Sequence, residues 1–164
     1  MAAIKFQGKP LHTSGELPMV GSKAPNFALV NSKLQDVSLA SFAGKKKVLN
    51  IVPSLDTPTC AASARKFNQK ATSLDNAVVL VVSADLPFAQ CRFCQVEGLK
   101  DVVALSTFRS RFADDYGVRL TDTFLAGLTA RAIVIIDEND TVVYTQLVDE
   151  LAHEPDYDSA LAVI

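Results

Sequence analysis

Tryptophan is absent from the 164 residues, and histidine (two), methionine (two), cysteine (three), glycine (seven) and proline (seven) are sparse. So little glycine and proline excludes collagen-like and low-complexity chains. Three cysteines are an odd number and too few to staple a secreted scaffold, so any role for them is reactive. His12 and His153 stand near opposite ends of the chain and only one Cys-x-x-Cys occurs, so no zinc ligand set is legible. Positive charge is not in excess: 16 Lys and Arg against 18 Asp and Glu give a net charge of −2. That sum leaves no field to hold a polyphosphate, and nucleic acid is excluded as a partner. The basic run Lys45-Lys46-Lys47 reads as a solvated entrance to a strand. The longest apolar run, residues 77–82, has strand length and falls far below a membrane span. The first residues lack the basic flank and apolar stretch of a secretory leader, so the cytosol is the expected compartment.

What is present is ordinary globular composition, 49% hydrophobic and 21% charged, in a length that suits one domain over residues 1–164. Residues 3–6 and 11–13 around Gln7-Gly8-Lys9-Pro10 predict an N-terminal β-hairpin. A strand over 27–30 follows, then a helical turn over 38–42 closed by Gly44. From Lys47 onward strands alternate with helices: strands at 48–52, 78–82, 102–105, 132–136 and 141–147, helices at 60–74, 88–97 and 109–116. This alternation predicts an α/β fold with helices on both faces of the sheet. The turn residues Asp137-Glu-Asn-Asp140 join an antiparallel pair, which makes the sheet mixed. Pro155 and its acidic neighbours open a terminal helix.

The candidate chemistry centres on Pro53-Ser-Leu-Asp-Thr57-Pro-Thr59-Cys60. A strand ends before it and a helix follows, with Thr59 as the expected cap, so Cys60 falls at a helix N-terminus. Unpaired N–H groups and the positive end of the helix dipole favour thiolate there, and thiolate is the nucleophile. Thr57 offers a hydroxyl to the sulfur or to a bound oxygen. The competing reading is an inert buried cysteine. Cys91-Arg-Phe-Cys94 is a second redox signature at the expected start of a later helix.

Pro53-x-x-x-Thr57-x-x-Cys60 resembles the active-site motif of the peroxiredoxins. The likeness extends over nearly the whole chain, through Val20-Gly-Ser-Lys-Ala-Pro25, Phe42-Ala-Gly-Lys-Lys-Lys-Val-Leu-Asn50, Ser83-Ala-Asp-Leu-Pro-Phe-Ala-Gln90 and Ala130-Arg-Ala-Ile-Val-Ile-Ile-Asp-Glu-Asn139, and is closest to the bacterial thiol peroxidase branch, the atypical two-cysteine peroxiredoxins. The resemblance implies a thioredoxin-like fold and reduction of hydrogen peroxide and organic hydroperoxides. It implies Cys60 as the peroxidatic cysteine, Cys94 as the resolving one that closes a Cys60–Cys94 disulfide, and Pro53, Thr57 and Arg131 as the rest of the pocket. It further implies no metal or organic cofactor, thioredoxin as reductant and a homodimer. In that scheme Thr57, backbone N–H groups near Cys60 and Arg131 donate to the departing oxygen, and Pro53 shields the thiolate. Cys91 departs from the family pattern. A thioredoxin-style disulfide carrier working through Cys91 and Cys94 is the alternative function.

Other candidates have plainer readings. Asp137, Glu138 and Asp140 are explained by turn chemistry, Asp56 and Asp85 by capping. Arg131 without the motif reads as a strand-edge arginine paired with a carboxylate. Phe88, Phe93 and Leu125 are candidates for an apolar rim that otherwise belong to the core. Because disulfide geometry needs Cα atoms within about 7 Å, closing Cys60 onto Cys94 is expected to unwind one or both helix ends.

Overall fold

Successive strand side chains point to opposite faces, so the near-continuous apolar runs of the central strands require a sheet covered on both sides. The computed structural model describes residues 1–164 and has that arrangement. The strands β1 (Ala3–Phe6) and β2 (Lys9–His12) form an antiparallel hairpin of their own. Two short strands follow, β3 (Leu29–Val30) and β4 (Asp36–Val37), then a 3-10 turn over Leu39–Phe42 that starts at Ser38. Next come β5 (Lys46–Ile51), α1 (Pro58–Ala71), β6 (Ala77–Ser83), α2 (Pro87–Glu97) and β7 (Val102–Ser106). The chain closes with α3 (Phe112–Asp115), a 3-10 turn over Thr123–Leu125, β8 (Ala132–Ile136), β9 (Val142–Leu147) and α4 (Tyr157–Leu161).

The seven-stranded sheet runs β4-β3-β7-β6-β5-β8-β9. β5, β6 and β7 are parallel, whereas β8 pairs antiparallel with β5 and with β9. Along β5 the side chains Leu49 and Ile51 enter one core and Val48 and Val52 the other; along β8, Val134 and Ile136 separate from Ile133 and Ile135 in the same way. The first core holds Phe112 and Tyr116 with Ile4 and Leu11 of the hairpin, and the second holds Ala64 and Phe67 of α1 with Tyr157 and Ala160 of α4. Phe93 and Cys94 of α2 pack on the second core, so α1, α2 and α4 share one face.

Two sequence expectations shrink. The helix expected over 109–116 is a single turn, because residues 107–110 are already a turn in which Ser110 N–H bonds Thr107 O and Ser110 Oγ accepts from Phe112 N–H. The strand expected from residue 27 begins only at Leu29, since Phe27 leaves the sheet edge to pack edge-on against Phe112. The basic run is not uniformly solvated either. Lys47 is fully buried at the foot of β5, where its Nζ meets the Asp140 carboxylate of the β8–β9 turn. Removing Asp140 strands the fully buried Lys47 ammonium, whereas removing the lysine leaves a carboxylate that water can still solvate. Asp140 retains solvent contact, which places Asp140→Ala at the lower end of the buried-pair range, a loss of about 3 kcal/mol in urea unfolding; Lys47→Met is expected to stay within about 1 kcal/mol of the parent.

Candidate functional site

Three parallel strands end at one edge of the sheet, and each leaves a serine there: Ser54 beyond β5, Ser83 at the end of β6 and Ser106 at the end of β7. Asp85 gathers them. Its carboxylate accepts from Ser54 Oγ at 2.7 Å, from Leu55 N–H at 2.8 Å and from Ser83 Oγ at 2.7 Å, while its carbonyl accepts from Ser106 Oγ at 2.5 Å. Gln90 of α2 joins through its amide, which donates to Ser83 Oγ at 3.0 Å and to Leu105 O at 2.9 Å. The loop 53–57 is thus fastened to the neighbouring strand end before α1 begins. Asp85 is thus more than the cap its sequence context suggests, and polar residues at three consecutive strand ends are the sequence signal of the cluster.

The cap of α1 is Thr57, not Thr59. Pro58 takes the first helical position, where its missing N–H costs nothing. Thr57 Oγ accepts from Cys60 N–H at 3.4 Å and donates to Ser54 O at 3.0 Å, so its proton points into the loop rather than at the sulfur. Cys60 sits in the first turn of α1 with its side chain fully buried against the second core, and Pro53 is buried before it. Thr59 instead donates to Ala152 O at 3.0 Å. Its N–H, in the first helical turn, has no acceptor in the chain.

Arg131 reaches the same corner from β8. Ala132 pairs with Ile51, which sets Arg131 opposite Val52, and the alternation that sends Ile133 into the second core sends Arg131 to that face too. Its Nε donates to Leu151 O at 2.9 Å, one residue before the carbonyl that holds Thr59, so consecutive carbonyls bind Arg131 and the first turn of α1. Arg131 is 2% exposed, forms no ion pair, and its Nη1 has no hydrogen-bond partner. The strand-edge arginine paired with a carboxylate is therefore not what the fold builds.

Cys94 is not at the start of its helix. It lies in the last full turn of α2, where its carbonyl accepts from Leu99 N–H at 2.9 Å and Gly98 closes the helix in the left-handed region, φ 66°. All three cysteines are free. Cys91 and Cys94, with Gln95 and Gly98, line a cavity of about 460 Å³ walled by Val102, Val103 and Asn31. Glu97, on another flank of α2, bonds Arg65 of α1 at 2.8 Å. Burial and the neighbouring Cys91 both disfavour charge on Cys94 and raise its thiol above the ordinary 9.0. Of the other candidates, Phe88 is exposed, Phe93 and Leu125 pack against the two cores, and Asp56 is exposed in the loop. Asp137 accepts from the N–H groups of Asn139 and Thr141. No group of three or more His, Cys, Asp or Glu side chains is placed to hold a metal ion.

Comparison with known proteins adds three findings. Residues 19–161 match the Redoxin family. The thiol peroxidase of Corynebacterium glutamicum is 54% identical over 164 residues, covering 100% of this chain and 99% of that one. Among solved structures, a peroxiredoxin-like protein from Aquifex aeolicus superposes with TM-score 0.94 at 37% identity over 99% of this chain and 95% of that one, and the thiol peroxidase from Chromobacterium violaceum with TM-score 0.92 at 26% identity over the same shares.

Two outcomes follow from the geometry. Asp85→Ala leaves three donors around the loop without their acceptor, and urea unfolding should register a loss of about 2 kcal/mol while alkylation of Cys60 accelerates. Alkylation of Cys94 in the reduced chain should keep rising with pH beyond 9.0, since a raised thiol pKa keeps it protonated through neutral pH; Cys91→Ser removes one cause of that shift and should move the profile to lower pH.

Proposed function

The chain belongs to the Redoxin family and is a thiol-dependent peroxidase of the thiol peroxidase kind, and we propose that Cys60 is its peroxide-reacting group, with Cys94 as the thiol that resolves it. The observation that carries this reading is the unpartnered Nη1 of buried Arg131, an N–H donor with no acceptor on the face that holds Cys60. A buried donor left unpaired is costly, and an incoming oxygen satisfies it. Thr59 N–H is a second free donor in the same turn. Thr57 Oγ, already engaged as donor and acceptor, keeps a lone pair for the O–H of the peroxide.

In the proposed sequence the Cys60 thiolate attacks one peroxide oxygen, the O–O bond breaks, and the other oxygen departs as water or alcohol after taking a proton. Arg131 and Thr59 N–H stabilise the charge that grows on it. Pro53 keeps water from the sulfur. The Cys60 sulfenic acid then condenses with the Cys94 thiol, releasing water and forming a disulfide. Cys94 starts about 10 Å along α2, whereas Cys60 lies about 3 Å along α1, and neighbouring helix axes stand roughly 8–10 Å apart. That separation exceeds disulfide reach, so a helix opens. The helix that yields is α2, whose only buried residues are Pro87 and Gln90 and whose N-terminus has no side-chain cap, against five buried residues and the Thr57 cap in α1.

Return to the dithiol is assigned to a reductant of the thioredoxin type, and the family resemblance carries with it a homodimer. No helix is long and apolar enough to cross a membrane. The test is peroxide turnover coupled to thioredoxin. Cys60→Ser should abolish it, Arg131→Met should lower it roughly 10²–10³-fold as loss of one charge-stabilising donor does, and Thr57→Val should lower it with Cys60 still alkylatable. Turnover that survives Cys60→Ser and dies with Cys91→Ser would give the reaction to the Cys91–Cys94 pair instead.

A further inference from the structure

We propose that Cys91 is a second exchange thiol of the catalytic cycle, which takes over the disulfide from Cys60 and leaves the oxidation stored as a Cys91–Cys94 bond on the cavity flank of α2. The inference rests on the peroxidase reading above. Cys91 and Cys94 lie three residues apart within α2, both partly exposed and both lining the cavity beside β7. At that spacing helical side chains share a face and Cβ atoms stand about 5–6 Å apart, slightly beyond the roughly 3.5–4.5 Å of a disulfide, so a modest local distortion suffices. Cys60 and Cys94 by contrast belong to different helices and meet only after α2 opens.

The step balances without any outside oxidant. The Cys91 thiolate attacks the Cys94 sulfur of the Cys60–Cys94 bond; the Cys91–Cys94 bond forms, the Cys60–Cys94 bond breaks, and the electron pair leaves on the Cys60 sulfur. One disulfide and one thiolate enter and one of each leaves, so nothing is oxidised or reduced overall. Two features favour this direction. Cys91 travels with Cys94 on the same short segment however far α2 unwinds, which keeps the attacking sulfur at high effective concentration. Attack at the Cys94 sulfur releases Cys60 into the first turn of α1, whereas attack at the Cys60 sulfur would leave the charge on Cys94, where burial and Cys91 itself disfavour it. Once the bond has moved, Cys60 is a free thiol again and α2 can re-form around the Cys91–Cys94 pair. A reductant then meets the disulfide at the open cavity rather than in the buried corner.

A titration with hydrogen peroxide in the absence of reductant decides it, followed by acid quench, dimedone labelling and non-reducing peptide mapping. The parent chain should consume two equivalents, ending with Cys60 labelled as sulfenic acid and Cys91 joined to Cys94. Cys91→Ser, a conservative change outside the Cys60 pocket, should consume one equivalent and hold an unlabelled Cys60–Cys94 bond. A parent chain that stops at one equivalent with Cys60–Cys94 intact overturns the exchange and leaves the peroxidase reading standing. Failure to consume even a first equivalent overturns both.

Discussion

A sheet apolar on both faces has no interior place for a reacting group, and that constraint shapes the molecule. Val48, Leu49, Ile51 and Val52 fill positions on either side of β5, and β6 and β8 repeat the pattern, so the only polar side chain within the middle of β5 is Asn50, bonded to Ser63 of α1 at 3.2 Å. Polar chemistry is displaced to the strand ends, where backbone pairing stops and helices begin with unpaired N–H groups. The corner that holds Cys60 lies where β5 gives way to α1, and Arg131 enters it from the adjoining end of β8.

Loop order at that corner is maintained from two directions. Asp85 grips the loop before Cys60 from the β6 side, and the consecutive carbonyls of Leu151 and Ala152 grip Arg131 and Thr59 from the β9 side. Each hydrogen bond contributes only about 1 kcal/mol net, yet each also fixes an atom that must stand still for an in-line displacement. The two helices divide the remaining work by their burial. α1 is packed through Ala64 and Phe67, with Phe67 edge-on to Tyr157 at 5.3 Å, and holds its cysteine in place. The more exposed α2 carries Leu86, Phe88 and Val96 largely in solvent around it, and so has less to lose on opening.

Much of this was legible from local pattern. The hairpin, the five longer strands, the alternation with helices and the antiparallel end of the sheet follow from periodicity and turn residues, with boundaries displaced by at most three residues. The elements that shortened were those where a tertiary contact outweighed local preference: Phe27 drawn off to Phe112, and residues 109–111 held in a turn. Lys47 looked solvated because its charge is visible in the sequence and Asp140, 93 residues away, is not. Thr59 looked like a cap because a capping residue normally precedes its helix directly, but Pro58 opens α1 one step earlier and Thr57 takes the role.

The sequence by itself determined the fold class, the family resemblance and the placing of Cys60 at a strand-to-helix junction, because each depends on residues within a few positions of one another. Tertiary structure alone decided that Arg131 is buried with a free donor, that Asp85 organises the loop from another strand, and that Cys91 and Cys94 line a cavity beside β7. Those facts depend on pairing partners 20 to 31 positions apart and on which side of a helix faces the sheet. Periodicity gives the spacing of a face; only packing against the neighbouring strands fixes where that face points.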